Sequence, residues 1–199
     1  MIGNDIIDIS EALKINWERK GFLNKIFCKN EQDLILNSKN PGLMVWLLWS
    51  MKESAYKIFQ RHELKRVFNP LKIKCQLTGI NSCFYYGRVD FNNLSYLTGS
   101  EISAETISTI AVYGDADSLN KIIKGNIKCS SSEYSIQHQE LYDFALEDIS
   151  ERIKKPAEEL SIKKDLYGIP RLFIKNSQLS MPVSLSHHGS YAAYAIVNF

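Results

Sequence analysis

The segment that decides the fold is WSMKESAYK, residues 49–57. It lies in a run from Gly42 to Gln60 that contains no proline and is rich in Leu, Met, Ala, Lys and Glu, which predicts a helix. On that helix Trp49, Glu53 and Lys57 are four residues apart and therefore share one face. By itself this face is most simply a solvated Glu–Lys pair, which stabilises a helix by roughly 0.2–0.5 kcal/mol. The other motifs of the chain argue for a functional role.

The composition is that of a globular chain without a dominant charge. Of 199 residues, 45% are hydrophobic and 23% are charged, which is enough to bury a core in one large domain or two small ones. The net charge of +2 excludes a strongly basic nucleic-acid-binding surface but allows a local basic pocket for a phosphorylated ligand. The longest apolar run, Leu43 to Trp49, is too short to span a bilayer. Neither nucleic acid nor a membrane is therefore an expected partner.

The cysteines and the N-terminus predict a cytoplasmic protein. Cys28, Cys75, Cys83 and Cys129 are widely spaced and form no C-x-x-C pair. This spacing argues against a zinc site and for unpaired thiols in a reducing compartment. The first residues carry acidic side chains and no basic lead, so no signal peptide is expected.

The N-terminal segment MIGNDIIDI, residues 1–9, predicts a buried strand because it is rich in isoleucine. Asp5 interrupts this apolar run, and a buried carboxylate is costly unless it is paired or bound to a metal. The simpler alternative is that Asp5 caps a turn after Gly3. The strand alone does not decide between the two.

The first half of the chain predicts helices followed by strands. Residues 15–29 have a basic, helical pattern ahead of the central helix. After Phe68-Asn69-Pro70 breaks the chain, strand patterns occur at residues 72–77, 83–91 and 107–113. This order indicates a lobe in which a helix precedes its later strands.

The second half repeats this design. Residues 118–133 have a low hydrophobic content and are predicted to be a connector. A helix with one apolar stripe, residues 138–154, precedes strands that include two around His187-His188-Gly189. Both halves end on similar strands, TIAVY and AAYAIV. The pattern therefore predicts two related α/β lobes over residues 1–117 and 134–199.

Three fragments carry side chains suited to phosphate chemistry: Gly3-Asn4-Asp5, the central helix and Ser184-Leu185-Ser186-His187. Two carboxylates, from Asp5 and Glu53, completed by waters and ligand phosphate oxygens, suit Mg²⁺. Lys57, one turn beyond Glu53, can reach the same phosphates as a point charge. The histidine that ends the third fragment is a candidate contact for another phosphate, although a lone histidine beside a turn is more often structural.

Together the three fragments resemble the motifs of the 4′-phosphopantetheinyl transferases, which are G-x-D, W-S-x-K-E-[AS]-x-x-K and S-x-S-H. The segment Gly168-Ile169-Pro170-Arg171-Leu172 adds a supporting likeness, so the resemblance extends from end to end of the chain. It implies an α+β fold of two similar lobes related by a pseudo-twofold axis. It also implies that a 4′-phosphopantetheine group passes from coenzyme A to a serine of an apo acyl or peptidyl carrier protein, with release of adenosine 3′,5′-bisphosphate.

The resemblance also implies roles for individual residues. Asp5 and Glu53 are implied as ligands of Mg²⁺, and Glu53 is implied as the base that accepts the serine proton, directly or through a water. Lys57 is implied as the second catalytic residue, which stabilises the leaving phosphate. Contacts to coenzyme A are implied for Lys52, Lys57, Ser186, His187 and Arg171.

The order of the motifs distinguishes two types within this family. The small trimeric type runs G-x-D, K-E, S-x-S-H, as here, but in a much shorter chain, whereas the two-lobed type carries S-x-S-H in its first lobe. The chain therefore predicts a two-lobed transferase with swapped lobe order and its site in the cleft between the lobes. A monomer is expected, with a trimer as the alternative. Two positions depart from the family pattern, since Ile7 replaces a third acidic residue and Ile169 replaces a lysine.

Two other classes of function stay open at the level of sequence. One is a different Mg²⁺-dependent phosphoryl-transfer enzyme that uses Asp5 and Glu53, although no Walker-type glycine-rich loop is present. The other is a catalytically silent protein that binds coenzyme A or a carrier protein as a module. A transfer assay separates these classes.

Overall fold

The structure, a computed structural model, describes residues 1–64, 67–115 and 117–197. The first half contains, in chain order, β1 (Ile2–Asp8), α1 (Ile9–Ala12), α2 (Phe22–Ile26), α3 (Lys29–Leu36), α4 (Pro41–Glu63), a 3₁₀ turn (Pro70–Lys72), β2 (Lys74–Asn81), β3 (Phe84–Phe91), β4 (Leu94–Ile102) and β5 (Thr106–Val112). The second half contains α5 (Asp117–Asn120), β6 (Ile122–Lys128), α6 (Tyr134–Ile153), a 3₁₀ turn (Ala157–Glu159), β7 (Leu160–Lys164), β8 (Pro170–Ile174), β9 (Ser177–His188) and β10 (Tyr191–Val197). None of the described helices is long and apolar enough to cross a membrane.

The strands form two antiparallel sheets with the same topology. Sheet 1 has the order β1-β5-β4-β3-β2, and sheet 2 has the order β6-β10-β9-β8-β7. In each sheet the first strand of that half therefore lies beside the last one, and the remaining strands follow in reverse order. A long helix comes between the first and second strands of each half, namely α4 and α6. The predicted α+β fold of two similar lobes is confirmed.

The helix predicted from residues 42–60 is present as α4, which begins and ends at recognisable caps. The Asn40 side chain accepts a hydrogen bond from the Leu43 N–H at 3.1 Å, and Pro41 occupies the first helical position, where its missing N–H costs nothing. Leu64 ends the helix in the left-handed conformation, with φ of 55°. The helix buries one side, including Leu48 and Met51, in the core of the first lobe.

The second lobe has a separate core beneath α6. Leu141, Ala145 and Ile149 are spaced by four residues, so they form one apolar stripe on this helix. The stripe packs against buried residues of sheet 2, among them Val183 and Ala192. Each lobe therefore buries a helix against its own sheet.

Strand β1 joins the two lobes because each of its edges has a different neighbour. One edge pairs with β5, and the other faces β9 of sheet 2, whose Ser184 accepts a hydrogen bond from the Asn4 N–H at 3.0 Å. Helix α4 crosses β1 so closely that a Cβ atom at Gly3 would lie 2.0 Å from the carbonyl oxygen of Ser54. The glycine of G-x-D is therefore required by this contact. The contact sets Asp5 beside the helix that carries Glu53.

Two predicted segments differ from the structure. The expected connector at 118–133 contains β6, the edge strand of sheet 2, so the second lobe begins before residue 134. Its sequence IIKGNIK alternates only partly, and the strand is half-exposed, which explains why its composition resembled a linker. The helical pattern at 15–29 is a helix only over Phe22–Ile26, because Gly21 adopts a left-handed φ of 81° just before it.

Candidate active site

A cavity of about 410 Å³ lies between the two lobes. The first lobe lines it with one face of α4 and with the side of β1 that carries Asp5. The second lobe lines it with the start of α6, the end of β7 and the end of β9. Its polar and aromatic lining includes Asp5, Trp49, Glu53, Lys57, Arg61, Tyr134, His138, Lys164, Ser186 and His187. The face of α4 singled out by its sequence therefore points into the cleft and toward β9.

Asp5 is a buried carboxylate without a full set of partners. Its Oδ1 atom lies 3.7 Å from the Lys57 ammonium, and its buried Oδ2 atom has no hydrogen-bond partner among the described residues. Burial raises the pKa of Asp5, and the positive charge of Lys57 opposes that rise only in part. A buried carboxylate oxygen with no donor is the kind of atom that a cation satisfies.

Glu53, like Asp5, is influenced by the buried charges nearby. Burial, and then the negative charge of Asp5, raise the pKa of Glu53 to about 7, while Lys57 acts in the opposite direction. Two neighbouring carboxylates in a cleft are each easier to ionise when a divalent cation lies between them. Asp5 and Glu53 are called the acidic pair below.

The acidic pair fits Mg²⁺, which takes few protein ligands and completes its shell with water and phosphate oxygens. Among the described residues, no group of three His, Cys, Asp or Glu side chains is placed to hold a metal ion. Ile7, which stands where the family pattern has a third acid, lines the cavity as an apolar side chain. A cation would therefore have Asp5 and Glu53 as its protein ligands.

Lys57 reaches across the cleft. Its Nζ atom donates to the carbonyl oxygen of Asn4 on β1 at 2.6 Å and to that of Leu185 on β9 at 3.2 Å. Burial lowers the pKa of Lys57, and the acidic pair opposes that shift. This ammonium group thus contacts both lobes and lies 3.7 Å from the Asp5 carboxylate.

The second lobe contributes a cluster of basic and aromatic side chains. The His187 ring lies 5.3 Å from the Tyr134 ring, and the Lys164 ammonium donates to the Tyr134 hydroxyl at 3.2 Å. His138 stacks on Tyr142 with 4.0 Å between ring centroids. Residues His138, Lys164 and His187 are called the basic group below.

The basic group has a positive field that suits an anion. Burial, and then the charges of Lys57 and Lys164, lower the pKa of His187. Burial and Lys164 likewise lower the pKa of His138. Positive neighbours disfavour the charged histidine, so the negative charge of a phosphate bound here would oppose both shifts.

The structure corrects the prediction for Lys52. Its ammonium is fully buried away from the cavity, 2.8 Å from the Glu31 carboxylate. It also donates to the carbonyl oxygens of Pro70, at 2.8 Å, and Ile73. A lysine that uses its donors in this way anchors α4 to the preceding helix and the following turn, and it is not among the residues that line the cavity.

Two other predicted contacts, Arg171 and Ser186, stay predictions, and both side chains already have partners in the structure. Arg171 is not among the cavity-lining residues, and its Nη2 atom lies 3.0 Å from the Asp165 carboxylate. Ser186 does line the cavity, but its hydroxyl accepts a hydrogen bond from the Asn4 side chain at 2.9 Å. Asp8 is structural: its carboxylate caps α1 and accepts a hydrogen bond from the Ser190 N–H at 3.0 Å.

The polar cavity residues that sequence reasoning missed include one from the first lobe and three from the second. Arg61 continues the spacing of Trp49, Glu53 and Lys57 by four more residues, so it was detectable from the helix period. The other three come from the second lobe and lie far from any motif in the sequence, so no comparable signal marked them. They are Tyr134, His138 and Lys164.

Comparison with known proteins identifies the family of the chain. A family model described as the 4′-phosphopantetheinyl transferase superfamily matches residues 1–106. That match covers more than half of the 199 residues, and the chain belongs to this superfamily. A holo-[acyl-carrier-protein] synthase of Protochlamydia amoebophila (strain UWE25) is 45% identical over 58 residues, which is 28% of this chain and 47% of that protein. The match thus spans about half the length of this curated relative.

Proposed function

We propose that the protein transfers the 4′-phosphopantetheine group of coenzyme A to a serine of an apo acyl or peptidyl carrier protein, releasing adenosine 3′,5′-bisphosphate in a Mg²⁺-dependent reaction. The observation that carries the proposal is that one cavity holds both the acidic pair and the basic group. A diphosphate with further phosphate attached needs a cation at one point and basic donors at others. Membership of the superfamily and the name of the relative support the same reaction.

The reaction is a displacement at the β-phosphorus of the coenzyme A diphosphate. The serine oxygen forms a bond to this phosphorus, and the bond between the phosphorus and the bridging oxygen breaks. The leaving group is adenosine 3′,5′-bisphosphate. Catalysis then consists chiefly of positioning and of stabilising charge on the phosphate oxygens.

Glu53 is the proposed base for the serine proton. In the cation-free protein its pKa of about 7 means that the carboxylate, the form that accepts a proton, is present in quantity near neutral pH. Asp5 and Glu53 would hold Mg²⁺, which when bound neutralises charge on the diphosphate. Lys57, within reach of the acidic pair, would stabilise the charge that develops on the leaving phosphate.

The basic group is proposed to bind the nucleotide part of coenzyme A. His187 was expected in this role, and Lys164 takes the place that was predicted for Arg171. The rings of Tyr134 and His138 lie beside these donors and offer faces on which a planar base can stack. Within this proposal, His187 and Lys164 contact phosphate oxygens.

The test is a transfer assay with a matched pair of variants. The protein is incubated with coenzyme A, Mg²⁺ and a panel of apo acyl and peptidyl carrier proteins, and the pantetheine adduct is detected by mass spectrometry. We expect an adduct with the unaltered protein and with Glu63→Gln, whose carboxylate is exposed on the same helix. We expect Glu53→Gln to lose about two to four orders of magnitude in rate.

Other outcomes of the assay identify the other classes. Tight binding of coenzyme A without an adduct on any carrier would indicate a silent binding module. Cleavage of the diphosphate without a carrier would indicate another phosphoryl-transfer enzyme. Full transfer by Glu53→Gln in the presence of Mg²⁺ would exclude Glu53 as the base.

A further inference from the structure

Side chains of β9 form hydrogen bonds with backbone N–H groups on the edge of β1 that faces sheet 2. In an antiparallel strand, alternate N–H groups point to opposite edges. The Asn4 N–H donates to the Ser184 hydroxyl at 3.0 Å, and the Asp8 N–H donates to the His188 Nδ1 atom at 3.0 Å. An edge strand buried between two lobes would otherwise leave these donors unpaired, which is costly.

A third residue of β9 completes this set. The Asn4 side-chain amide donates to the Ser186 hydroxyl at 2.9 Å. Ser184, Ser186 and His188 are spaced by two, so they project to the same side of the strand. Asn4, Ser184 and Ser186 are each at most 5% exposed, which keeps water from replacing these hydrogen bonds. The three β9 residues are called the seam below.

Residues of the first lobe also form hydrogen bonds across the boundary between β1 and β9. Lys57 donates to the carbonyl oxygen of Asn4 and to that of Leu185 on β9, between the two serines. The Ser190 N–H, just beyond β9, donates to the Asp8 carboxylate. Asn4 is therefore held through its N–H, its carbonyl oxygen and its side chain, and Asp5 is the next residue.

We propose that Ser184, Ser186 and His188 are positioning residues that fix β1 against the second lobe, so that Asp5 faces the cavity at a set place. Ser186 then serves the site through Asn4 and does not touch the ligand. All five residues of the segment SLSHH, residues 184–188, line the cavity. In this proposal His187 is the ligand contact, and the alternate residues make the hydrogen bonds to β1. The effect of these residues on catalysis rests on the proposed transfer reaction, whereas their hydrogen bonds to β1 do not depend on it.

The physical case is that a cation site tolerates little displacement of its ligands. Binding and catalytic groups work when they are held within about 0.5 Å of the productive geometry by a supporting shell. Asp5 lies on an edge strand, and its outer edge has no main-chain ladder with β9. Side-chain hydrogen bonds from β9 supply the support that a neighbouring strand gives elsewhere.

The first test measures the seam without any ligand, by hydrogen exchange of backbone amides followed by NMR. Ser184→Ala removes the acceptor of the Asn4 N–H and only one side-chain atom. We expect the Asn4 amide to exchange at least about tenfold faster in this variant. The control is Ser180→Ala, an exposed serine of the same strand, which leaves the Asn4 amide unchanged. Equal Asn4 exchange in the two variants would overturn the proposal.

The second test measures the link to the acidic pair by binding of Mn²⁺, followed by electron paramagnetic resonance. Asn4→Ala and Ser186→Ala are each expected to weaken Mn²⁺ binding about fivefold. The double variant should weaken it no more than either single variant, because both substitutions remove the same hydrogen bond. Additive effects would mean that the two residues act separately. Unchanged Mn²⁺ binding in both would remove the positioning role.

A third measurement separates positioning from ligand contact. Binding of coenzyme A in the absence of a divalent cation should be the same in Ser186→Ala and in Asn4→Ala as in the unaltered protein. A loss of coenzyme A affinity confined to Ser186→Ala would show that the hydroxyl touches the ligand and would overturn the proposal. Failure of carrier-protein transfer would instead count against the proposed function, because none of these three measurements uses it.

Discussion

At the scale of single residues, Glu53 has the most altered chemistry. Burial and the nearby Asp5 raise its pKa from 4.5 to about 7. The folded protein therefore holds this proton more tightly than the unfolded chain does. Its contribution to the free energy of unfolding is fully present below the unfolded value and is lost as the pH rises through about 7.

This shift predicts that the cation-free protein loses stability between about pH 5 and about pH 8. At about 1.4 kcal/mol per pKa unit, and with partial solvent screening, the loss is on the order of 2 kcal/mol. Urea unfolding across this range should show the loss in the unaltered protein and in Glu63→Gln, and a flatter profile in Glu53→Gln. Addition of Mg²⁺ should restore stability mostly at the higher pH. A Glu53→Gln profile as steep as that of the control would contradict the assignment.

Lys52 illustrates a different use of a charged residue in the same motif. Its side chain and that of Glu31 are at most 1% exposed, and the pair is buried. Removing one partner leaves a buried charge without compensation. We therefore predict that Lys52→Met lowers the free energy of unfolding by about 3–5 kcal/mol.

The check on Lys52 is urea unfolding beside a matched control. Lys39→Met, at an exposed position, should change stability by less than about 0.5 kcal/mol. The double variant Glu31→Leu with Lys52→Met should recover much of the lost stability, because it leaves no unpaired charge. A small effect of Lys52→Met on stability together with lost affinity for coenzyme A would restore the original prediction of a cofactor contact.

These residues show what motif spacing can and cannot predict. Asp5, Glu53, Lys57 and His187 were expected in one site, and all of them line one cavity. Lys52 lies next to Glu53 in sequence but points to another side of α4, where Glu31 meets it. Which partner satisfies a charge depends on tertiary contacts, and the sequence contains no direct signal for those.

At the scale of secondary-structure elements, the decisive contact is the crossing of α4 over β1. A Cβ at Gly3 would lie 2.0 Å from the Ser54 carbonyl oxygen and 3.3 Å from a side-chain atom of Ile58. Both obstacles belong to the helix that carries Glu53. A larger residue at Gly3 must therefore push α4 away from β1, which separates the acidic pair.

We predict that Gly3→Ala destabilises the protein by about 1–3 kcal/mol or more and weakens Mn²⁺ binding. The matched control is Gly79→Ala on β2, where the nearest atom to a new Cβ, in Tyr86, is 3.9 Å away. The control should be neutral or slightly stabilising, since alanine lowers the entropy of the unfolded chain. Thermal unfolding and Mn²⁺ titration of the two variants give the comparison. Equal behaviour of both would show that the crossing can widen without cost.

Prediction of the elements succeeded where hydrophobic periodicity was strong. Helix α4 has an extended apolar pattern and clear caps, so both its type and its position followed from the sequence. Strand β6 carries two lysines and a glycine among its seven residues and was mistaken for a connector. It is stable as an edge strand because β10 pairs with its full length, a contact that depends on a partner about 70 residues later in the chain.

At the scale of the whole molecule, the two lobes have equivalent frameworks but unequal chemistry. Asp5 is the central residue of β1 and pairs with Thr109 of β5. Gly125 is the central residue of β6 and pairs with Tyr194 of β10. The shared strand order makes Gly125 the counterpart of Asp5. The second lobe therefore has a glycine where the first has its carboxylate.

The space around Gly125 is filled by aromatic rings. A Cβ there would lie 2.6 Å from the Tyr194 ring and 2.8 Å from the Phe144 ring. Neither a carboxylate nor a cation fits such a position without displacing one of the rings. Of these two described strands, β1 therefore carries a carboxylate at its central position, at the boundary where it meets the second lobe, and β6 does not.

We therefore predict that each chain binds one coenzyme A in a Mg²⁺-dependent manner, and that both lobes of the same chain form this site. Isothermal titration should give a stoichiometry near one, and Asp5→Asn should abolish the Mg²⁺-dependent part, since the equivalent position of the second lobe is a glycine. Light scattering should show a monomer, because the basic group that faces Asp5 and Glu53 comes from the chain's own second lobe. A trimer whose binding disappears on dilution would mean that neighbouring chains complete the cleft. Two equivalent sites per chain would mean that the position around Gly125 opens to admit a ligand.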